Sequence, residues 1–298
     1  TGESICYNGN PSSIGSTTAA SGGDATITYK WQANNVDIAS SNFATYDPPA
    51  NLTTTTTYTR YAKDGTCNSF TLSSGSWVVT VRFEFTSGTI ASTGESICYN
   101  GNPSSIGSTT AASGGDATIT YKWQANGTDI PSSDAATYDP PTGLTTTTTY
   151  TRYAKDGTCN SFTLSSGSWV VTVRPEFTSG TIASTGETIC YNGDPAEIGS
   201  TTSASGGDNS ITYKWQANNV DIASSNSATY DPPANLTTTT SYTRYAKDGS
   251  CNSFTISSGS WVVTVRPEFT SGTIASTGET ICYNGDPAEI GSTTSASG

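Results

Sequence analysis

The sequence predicts an all-β protein built from tandem antiparallel β-sandwich modules with a period of 92 residues. The stretch 1–9 returns at 93–101, at 185–193 with one Ser-to-Thr change, and again from 277. β-branched and aromatic residues recur between turn signals, and the 3.6-residue period of a helix is missing apart from short acidic stretches such as 195–197. This period exceeds the roughly 20 to 50 residues of a solenoid unit and suits one independent sandwich of about 100 residues.

The end of each module is predicted from its last strand. Residues 77–82 alternate strongly, and Pro175 and Pro267 follow the equivalent strands, where a missing N–H ends pairing. We place boundaries after residues 82, 174 and 266. On this division 1–82 is a module lacking its first strand, 83–174 and 175–266 are complete modules, and 267–298 is the opening fragment of a fourth, so we expect a longer array.

The strands of one module follow from alternation and turn chemistry. Asn100-Gly101, 113–116, 139–141 and Asp156-Gly157 mark reversals of the chain, because they tolerate positive φ or fix φ. No Gly/Ser-rich or Pro-rich linker separates the modules, so neighbouring modules should be tightly joined. Strands are predicted at 83–90, 95–99, 104–111, 117–125, 145–155 and 168–174, with shorter segments at 128–130 and 136–139.

One tryptophan per module is predicted to fill the centre of the core. The alternation of Tyr121-Lys122-Trp123-Gln124 places Tyr121 and Trp123 on the buried face, with Trp123 between the two sheets. Trp169, at the start of the last strand, either closes the core or packs at the module junction. The equivalent core aromatics are Trp31, Trp123 and Trp215.

The strand opposite Trp123 leaves one choice open. Tyr150 and Ala154 are expected to face the tryptophan, but the same face carries Arg152. Either the Arg152 guanidinium reaches the rim, or the two faces are exchanged and Tyr153 is the buried ring. Spacing alone does not decide between these alternatives.

Composition excludes several classes of function. The chain has 12 Lys and Arg, 24 Asp and Glu and no His, giving a net charge of −12. Phosphate binding needs clustered cations, so we expect no nucleic-acid partner. Absence of histidine removes Ser-His and Cys-His nucleophile pairs, so an enzyme is not expected. No apolar run approaches the roughly 20 residues of a membrane span, and we expect no membrane insertion.

Acidic side chains are the only candidates for a cofactor site. Asp47, Asp64, Asp194 and Glu197 are possible calcium ligands, but no Asp-x-Asp-x-Asp-Gly loop occurs. Paired carboxylates for glycoside hydrolysis would have to recur in each module, whereas acidic positions change between copies. The sequence therefore predicts no cofactor.

Seven cysteines recur at fixed positions and predict disulfides. A spacing of 61 residues indicates one bridge in each module, which leaves Cys282 without its partner. Pairing of Cys67 with Cys98 across a boundary is not excluded by counting, but an intact module favours the first scheme. No Cys-x-x-Cys pair supports metal binding, and disulfides indicate an extracellular location. The predicted pairs are Cys6–Cys67, Cys98–Cys159 and Cys190–Cys251.

Two surface features are candidate contact regions. The first two copies differ mainly between residues 35 and 51, which indicates an exposed hairpin. The run Thr53–Thr57 could present hydroxyls to a glycan, but high β-propensity makes it a Thr-rich strand. The contact window within the hairpin is Asn35, Val36, Asn42 and Phe43.

The sequence motifs of the repeat resemble those of a known family. The third copy contains Cys190-Tyr191-Asn192-Gly193, Ser205-Gly206-Gly207, Tyr213-Lys214-Trp215-Gln216 and Tyr230-Asp231-Pro232-Pro233, and ends in 262–265. This succession resembles the Ig-like or PKD-like tandem repeats of giant Bacteroidetes surface proteins. The acidic WDFGDG-type signature of PKD domains is missing, which favours the Ig-like class.

The resemblance implies a function at the cell surface. It implies a long stalk of an outer-membrane-associated gliding adhesin, exported by type IX secretion, that contacts polysaccharide or substratum and is driven by a gliding motor or track. Neighbouring repeats of the same chain would be its other partners. The alternative is a glycan-binding accessory array of a secreted hydrolase.

Overall fold

The computed structural model of the chain describes residues 1–24, 26–65 and 69–298. They form two compact units, residues 1–96 with 102–172 and residues 97–101 with 173–298, called here the N-terminal and C-terminal units. The described residues contain strands and no helix. The predicted class of tandem Ig-like β-sandwich modules is therefore confirmed, whereas the division after residues 82, 174 and 266 stays a prediction.

The strands repeat in the same succession along the chain. Residues 1–82 contain β1 (Gly2–Ile5), β2 (Ile27–Ala33), β3 (Val36–Asp37), β4 (Thr56–Asp64), β5 (Thr71–Leu72) and β6 (Trp77–Val81). Residues 83–174 contain β7 (Phe83–Thr86), β8 (Thr89–Ile90), β9 (Glu95–Ile97), β10 (Ser108–Thr110), β11 (Ser113–Gly115), β12 (Thr120–Ala125), β13 (Thr128–Asp129), β14 (Thr148–Lys155), β15 (Thr163–Leu164) and β16 (Trp169–Val173). The remainder contains β17 (Thr181–Ile182), β18 (Glu187–Ile189), β19 (Ser200–Thr202), β20 (Thr212–Ala217), β21 (Val220–Asp221), β22 (Thr240–Lys247), β23 (Thr255–Ile256), β24 (Trp261–Val265), β25 (Thr273–Ile274) and β26 (Ser292–Thr294).

The larger sheet of each module has one strand order. In residues 1–82 the order is β1-β6-β4-β2-β3, with β5 also paired to β4, and the equivalent strands of 83–174 and 175–266 repeat it. β1 runs parallel to β6, and the other pairs are antiparallel. The β2–β3 hairpin turns through Asn34 and Asn35, whose φ angles of 49° and 67° are typical of a type I′ turn. This order matches the larger sheet of an immunoglobulin sandwich.

A second, shorter layer covers the core. In residues 83–174, β7 pairs with β11 and β8 pairs with β10, both antiparallel. Trp215 is fully buried and stacks on Tyr230 at 5.7 Å between ring centroids, and Trp261 packs against the same cluster and so closes the core. Trp31 and Trp123 are buried in the same way. The core of the third module is formed by Ile182, Ile198, Trp215, Tyr242 and Val263.

Two predicted strands differ from the structure, and two short strands of the structure are missing from the prediction. Segment 83–90 splits into β7 and β8 at Gly88, whose φ is 69° and where a side chain would meet the backbone of Ala112. Segment 136–139 makes only the single bridge between Ile106 and Tyr138, and two prolines follow it at once. The short strands β11 and β15 were not predicted, because their residues carry no alternation long enough to detect.

Arg152 decides the open question about the buried face, and both alternatives are wrong. It is paired with Trp123 across the sheet and is 0 % exposed, so the guanidinium does not reach the rim and Tyr153 is not the buried ring. Its Nε donates to Ser165 Oγ at 3.0 Å and its Nη1 to the carbonyl of Ala136 at 2.9 Å. The remaining partners of Nη1 and Nη2 are Ser108 Oγ and the carbonyls of Ser87 (3.3 Å) and Thr89 (3.4 Å).

This arginine is buried without an ion pair among the described residues. Burial lowers the pKa of Arg152, and the neighbouring Tyr121, whose ring centroid lies 5.0 Å from the guanidinium carbon, opposes that shift. Hydrogen bonds to oxygen atoms of the second layer replace the lost hydration. Arg152 therefore links the two layers as well as filling the core.

We predict that Arg152→Met destabilises the protein by about 3 kcal/mol, because several buried oxygen atoms lose a charged donor. The matched control is Arg60→Met, which changes the equivalent residue of the first module. Arg60 is only half-buried and hydrogen-bonds to Ser73, Ser16 and Ala44, so its loss should cost less. Urea unfolding of the full chain, followed by tryptophan fluorescence, measures both. Equal costs would contradict the cross-layer role of Arg152.

Candidate functional site at the module junctions

The disulfides join successive modules. Cys6 is bonded to Cys159 and Cys98 to Cys251, each with Cα atoms 5.5 Å apart and a sequence separation of 153 residues. Each repeat contributes a pair of cysteines, but the predicted partners are wrong. This correction applies to the pairs within a module, Cys6–Cys67, Cys98–Cys159 and Cys190–Cys251, and to the rival Cys67–Cys98. Cys190 and Cys282 are free and exposed, and Cys67 lies outside the described residues.

Strand direction explains why pairing within a module fails. In the third module, Cys190 follows β18, whose last residue Ile189 lies beside Val265 at the end of β24. Cys251 follows β22, which starts beside β24 and runs away from that end. The eight residues of β22 make seven steps of about 3.3 Å, which separate the two ends of this strand by roughly 23 Å. A disulfide needs Cα atoms within about 7 Å, so these cysteines cannot bond to each other.

An arginine at the end of the last strand lies against the bridge. In the N-terminal unit, the Arg82 amide donates to the carbonyl of Ile5 at 3.0 Å, which holds the arginine beside the end of β1. Its Nη1 donates to Thr158 Oγ1 at 3.1 Å and lies 3.2 Å from Cys159 Sγ. The same atom is 3.9 Å from an Asp116 carboxylate oxygen. Arg82 therefore contacts both the disulfide and the loop that carries Cys159.

Asp116 organises that loop. Its carboxylate accepts backbone N–H groups from Thr118 at 2.9 Å, Gly157 at 3.0 Å and Thr158 at 3.2 Å. The pKa of Asp116 is lowered chiefly by the Thr118 N–H, and Gly157, Thr158 and the Arg82 charge add to the shift while partial burial opposes it. The Asp116 amide in turn donates to the buried carboxylate of Asp156 at 3.2 Å. The loop position, and so the position of Cys159, depends mainly on these backbone hydrogen bonds.

The C-terminal unit contains the same arrangement. Arg174 Nη1 lies 3.4 Å from Ser250 Oγ, 3.3 Å from Cys251 Sγ and 3.9 Å from the Asp208 carboxylate. The pKa of Asp208 is lowered chiefly by the N–H of Ser210, which donates to it at 2.8 Å. Two separate occurrences show that arginine, aspartate and disulfide form one repeated site.

Sequence reasoning did not find this site, although a signal exists. Arg82 and Arg174 are the last residues of their predicted modules, and the pairs Asp116–Asp156 and Asp208–Asp248 keep the same spacing of 40 residues. Their convergence depends on strand direction, which spacing does not reveal.

The predicted contact window lies elsewhere. Asn35 is in the β2–β3 turn, Val36 begins β3, and Asn42 and Phe43 are in the loop that follows, all exposed. The Phe43 carbonyl, not its ring, accepts the Trp31 indole N–H at 3.0 Å, so side chains at this position are free to vary. The equivalent carbonyls belong to Ala135 and Ser227.

The candidate calcium ligands do not form a cluster. Within residues 1–24, 26–65 and 69–298, no three His, Cys, Asp or Glu side chains are placed to hold a metal ion. Asp47, Asp194 and Glu197 are exposed, and Asp64 is buried at the end of β4.

Comparison with protein families identifies the repeat. Residues 1–83, 86–175 and 178–267 each match the family described as "Domain of unknown function (DUF8696)". The chain belongs to this family. No sequence relative is found among the curated proteins. No helix in the described part of this DUF8696 chain is long and apolar enough to cross a membrane.

Solved structures similar to the DUF8696 chain include fragments of titin, of a cell adhesion molecule and of a bacteriophage capsid protein. An I-band fragment from titin is 15 % identical, covers 82 % of this chain and 90 % of its own, and has a TM-score of 0.46. The N-terminal eight Ig domains of the Down Syndrome Cell Adhesion Molecule are 14 % identical over 89 % of this chain and 36 % of theirs, with a TM-score of 0.41. Three N-terminal domains of the bacteriophage RB49 Highly Immunogenic Outer Capsid protein are 11 % identical over 88 % of this chain and 96 % of theirs, with a TM-score of 0.36.

The junction disulfide gives a direct prediction for peptide mapping. Trypsin cleaves after Arg82 but not between Arg174 and Pro175, so peptides carrying Cys67 and Cys159 differ in mass. Under non-reducing conditions we expect the Cys6 peptide to be linked to the Cys159 peptide. Cys159→Ser should free Cys6 and, in the chain-entropy account, cost up to about 5 kcal/mol, whereas Cys282→Ser should change neither. A peptide joining Cys98 to Cys159 would contradict the structure.

The lowered pKa of Asp116 gives a prediction for acid stability. A carboxyl group whose folded pKa is depressed stabilises the fold above its ordinary value of 3.8, and the contribution is lost as pH falls through the folded value. NMR titration of the Asp116 carboxyl carbon should give a midpoint below 3.8. Arg82→Gln should raise the midpoint only slightly, because the backbone N–H groups remain. A midpoint that reaches 3.8 in this variant would make the arginine, not the backbone, the main cause.

Proposed function

We propose that this chain is part of the stalk of an extracellular adhesin, in which the modules carry tension and hold adhesive parts away from the cell. The observation that carries the proposal is the disulfide ladder, defined as the overlapping bridges Cys6–Cys159 and Cys98–Cys251. A chain that served only as a flexible spacer would not need covalent links between successive modules.

The disulfide ladder shortens the covalent path along the array. Without bridges, the path from Cys6 to Cys251 contains 245 residues (251 minus 6). Through both bridges it contains only the 61 residues between Cys98 and Cys159 (159 minus 98). At about 3.5 Å per extended residue, the maximum length falls from roughly 860 Å to roughly 210 Å. The bridges would therefore limit extension even if every module unfolded under load.

The disulfides and the net charge support an extracellular location. Structural disulfides persist in oxidising compartments, and two are formed among the described residues. A net charge of −12 favours solubility and disfavours contact with anionic surfaces. These properties support an extracellular protein.

The finer assignment rests on the sequence resemblance. The chain is a repeat region like that of the gliding-motility adhesin SprB. It lies on the outer surface of a member of the Bacteroidetes and is exported by type IX secretion. Its partners would be surface polysaccharide or substratum and a gliding motor or track outside this segment. Many weak contacts on one long chain add by multivalency, so no single module needs a deep pocket or a catalytic group.

A repeated aromatic patch favours the second candidate, a glycan-binding accessory array of a secreted hydrolase. On the outer face of the larger sheet, Lys122 Nζ lies 5.1 Å from the Tyr153 ring centroid and 5.3 Å from that of Phe162, and the patch recurs once per module. Saturable polysaccharide binding that is lost in Phe162→Ala and its two equivalents, Phe70→Ala and Phe254→Ala, would favour this function over the stalk.

The stalk function predicts a redox-dependent limit to stretching. In single-molecule force spectroscopy of the full chain, we expect the unfolded length between Cys6 and Cys251 to increase about fourfold when the bridges are reduced. The double variant Cys159→Ser/Cys251→Ser should behave like the reduced chain in both conditions. Equal contour lengths before and after reduction of the native chain would rule out a tension-limiting role.

A further inference from the structure

The two sulfur atoms of Cys6–Cys159, called here the first bridge, have different surroundings. Arg82 Nη1 lies 3.2 Å from Cys159 Sγ, and among the residues that the structure describes it forms no hydrogen bond to Cys6 Sγ. The Asp116 carboxylate, which opposes the arginine charge, is farther from Nη1, at 3.9 Å, and already accepts three backbone N–H groups. One sulfur of the bridge is therefore in contact with a cation.

This difference decides which sulfur leaves when the disulfide is attacked. A thiolate attacks one sulfur, and the other sulfur leaves with the electron pair of the S–S bond. A sulfur leaves faster when its thiolate is more stable, and a neighbouring arginine stabilises a thiolate. The contact with Arg82 therefore favours attack on Cys6 and departure of Cys159.

A cavity gives a small molecule access to the same bridge. Its volume is about 200 Å³, and its lining includes Cys6, Cys159, Tyr7, Asn8 and Asn160. Water occupies about 30 Å³ per molecule in the liquid, so the cavity has room for a thiol of a few heavy atoms. Both cysteines are half-buried, so neither is sealed from solvent.

Cys98–Cys251, called here the second bridge, has the same two features. Arg174 Nη1 lies 3.3 Å from Cys251 Sγ. A cavity of about 150 Å³ lies beside this bridge, and its lining includes Cys98, Cys251, Tyr99 and Asn252. Because an arginine and a cavity accompany both bridges, they are properties of the repeat.

We propose that both bridges are sites of modification by a small thiol. A thiolate R–S⁻ attacks Cys6 Sγ, forms a mixed disulfide between R–S and Cys6, and releases Cys159 as a thiolate beside Arg82. A second R–S⁻ then attacks the sulfur of R, forms R–S–S–R and releases Cys6 as a thiolate. The thiol is the reductant, since two thiols are oxidised to one disulfide while the bridge is reduced. The same steps apply at Cys98, with Cys251 leaving.

The released cysteine stays in position. The loop of Cys159 is held by the N–H groups of Gly157 and Thr158, which donate to the Asp116 carboxylate and do not involve the bridge. Attack of the Cys159 thiolate on the mixed disulfide at Cys6 therefore expels the small thiol and restores the bridge. The modification is reversible and opens or closes single links of the disulfide ladder. This reactivity does not depend on the proposed stalk function.

The rate of reduction tests the proposal, and the two bridges of one chain serve as controls for each other. The parent for this experiment has Cys67, Cys190 and Cys282 changed to Ser, so that only the four bridged cysteines remain. The folded full chain is treated with 2-mercaptoethanol, quenched with N-ethylmaleimide at successive times and digested with trypsin. The four cysteines lie on separate tryptic peptides, so each bridge is followed by mass spectrometry.

In Arg82→Gln, we expect reduction of the first bridge to slow about fivefold, because the leaving thiolate loses its cation. The second bridge of the same molecule should react as in the parent. Arg174→Gln should slow only the second bridge, and Arg82→Lys, which keeps a cation, should retain most of the parent rate. A merely structural role would have the opposite sign, since a loosened loop exposes the bridge and speeds its reduction.

The position of the added thiol tests the direction of attack. With a limiting amount of 2-mercaptoethanol, the mixed disulfide should be found on the peptides of Cys6 and Cys98, and N-ethylmaleimide on those of Cys159 and Cys251. A mixed disulfide found mainly on Cys159 or Cys251 would overturn the proposal. An Arg82→Gln chain whose first bridge is reduced at the parent rate or faster would overturn it as well.

Discussion

The direction of the strands in the larger sheet is the constraint on which the rest of this structure depends. In the third module, β18 runs parallel to β24 and β22 runs antiparallel to it, so Cys190 and Cys251 lie at opposite ends of the sheet. A cysteine at one end of the sheet therefore has no disulfide partner within its own module and bonds to a cysteine of the next module. The disulfide ladder, and the mechanical role proposed for it, follow from this placement, and the loop held by Asp116 then positions the Cys159 sulfur.

The opening segment of a module also determines how the core is packed. Its carbonyls accept from the buried Arg152, so the guanidinium is tolerated in the core only while that segment is in place. At the end of the last strand, β6, the charged side chain of Arg82 contacts the loop that carries Cys159. Two arginines at fixed positions of the repeat thus serve different purposes, one holding two layers together and the other holding two modules together.

Sequence predicted the features that depend on local pattern. The period, the all-β class, the positions of most longer strands and the central tryptophan follow from alternation and turn residues. Disulfide partners could not be predicted, because a spacing of 61 residues gives distance along the chain and not the end of the sheet at which each cysteine lies. Spacing leaves the face of Arg152 undecided, because its burial depends on oxygen atoms from 87 and 89, which lie far away in sequence.

The separation of 153 residues also sets an order of events during biogenesis. Cys6 must remain a free thiol until Cys159 is available, after more than one further module has been synthesised and translocated. In the third module, the folded sheet keeps Cys190 apart from Cys251, the next cysteine of the chain, 61 residues downstream. Correct oxidation therefore requires each sheet to fold before its cysteines react with each other. Rapid folding of the sheet protects the growing chain from disulfides between the wrong cysteines.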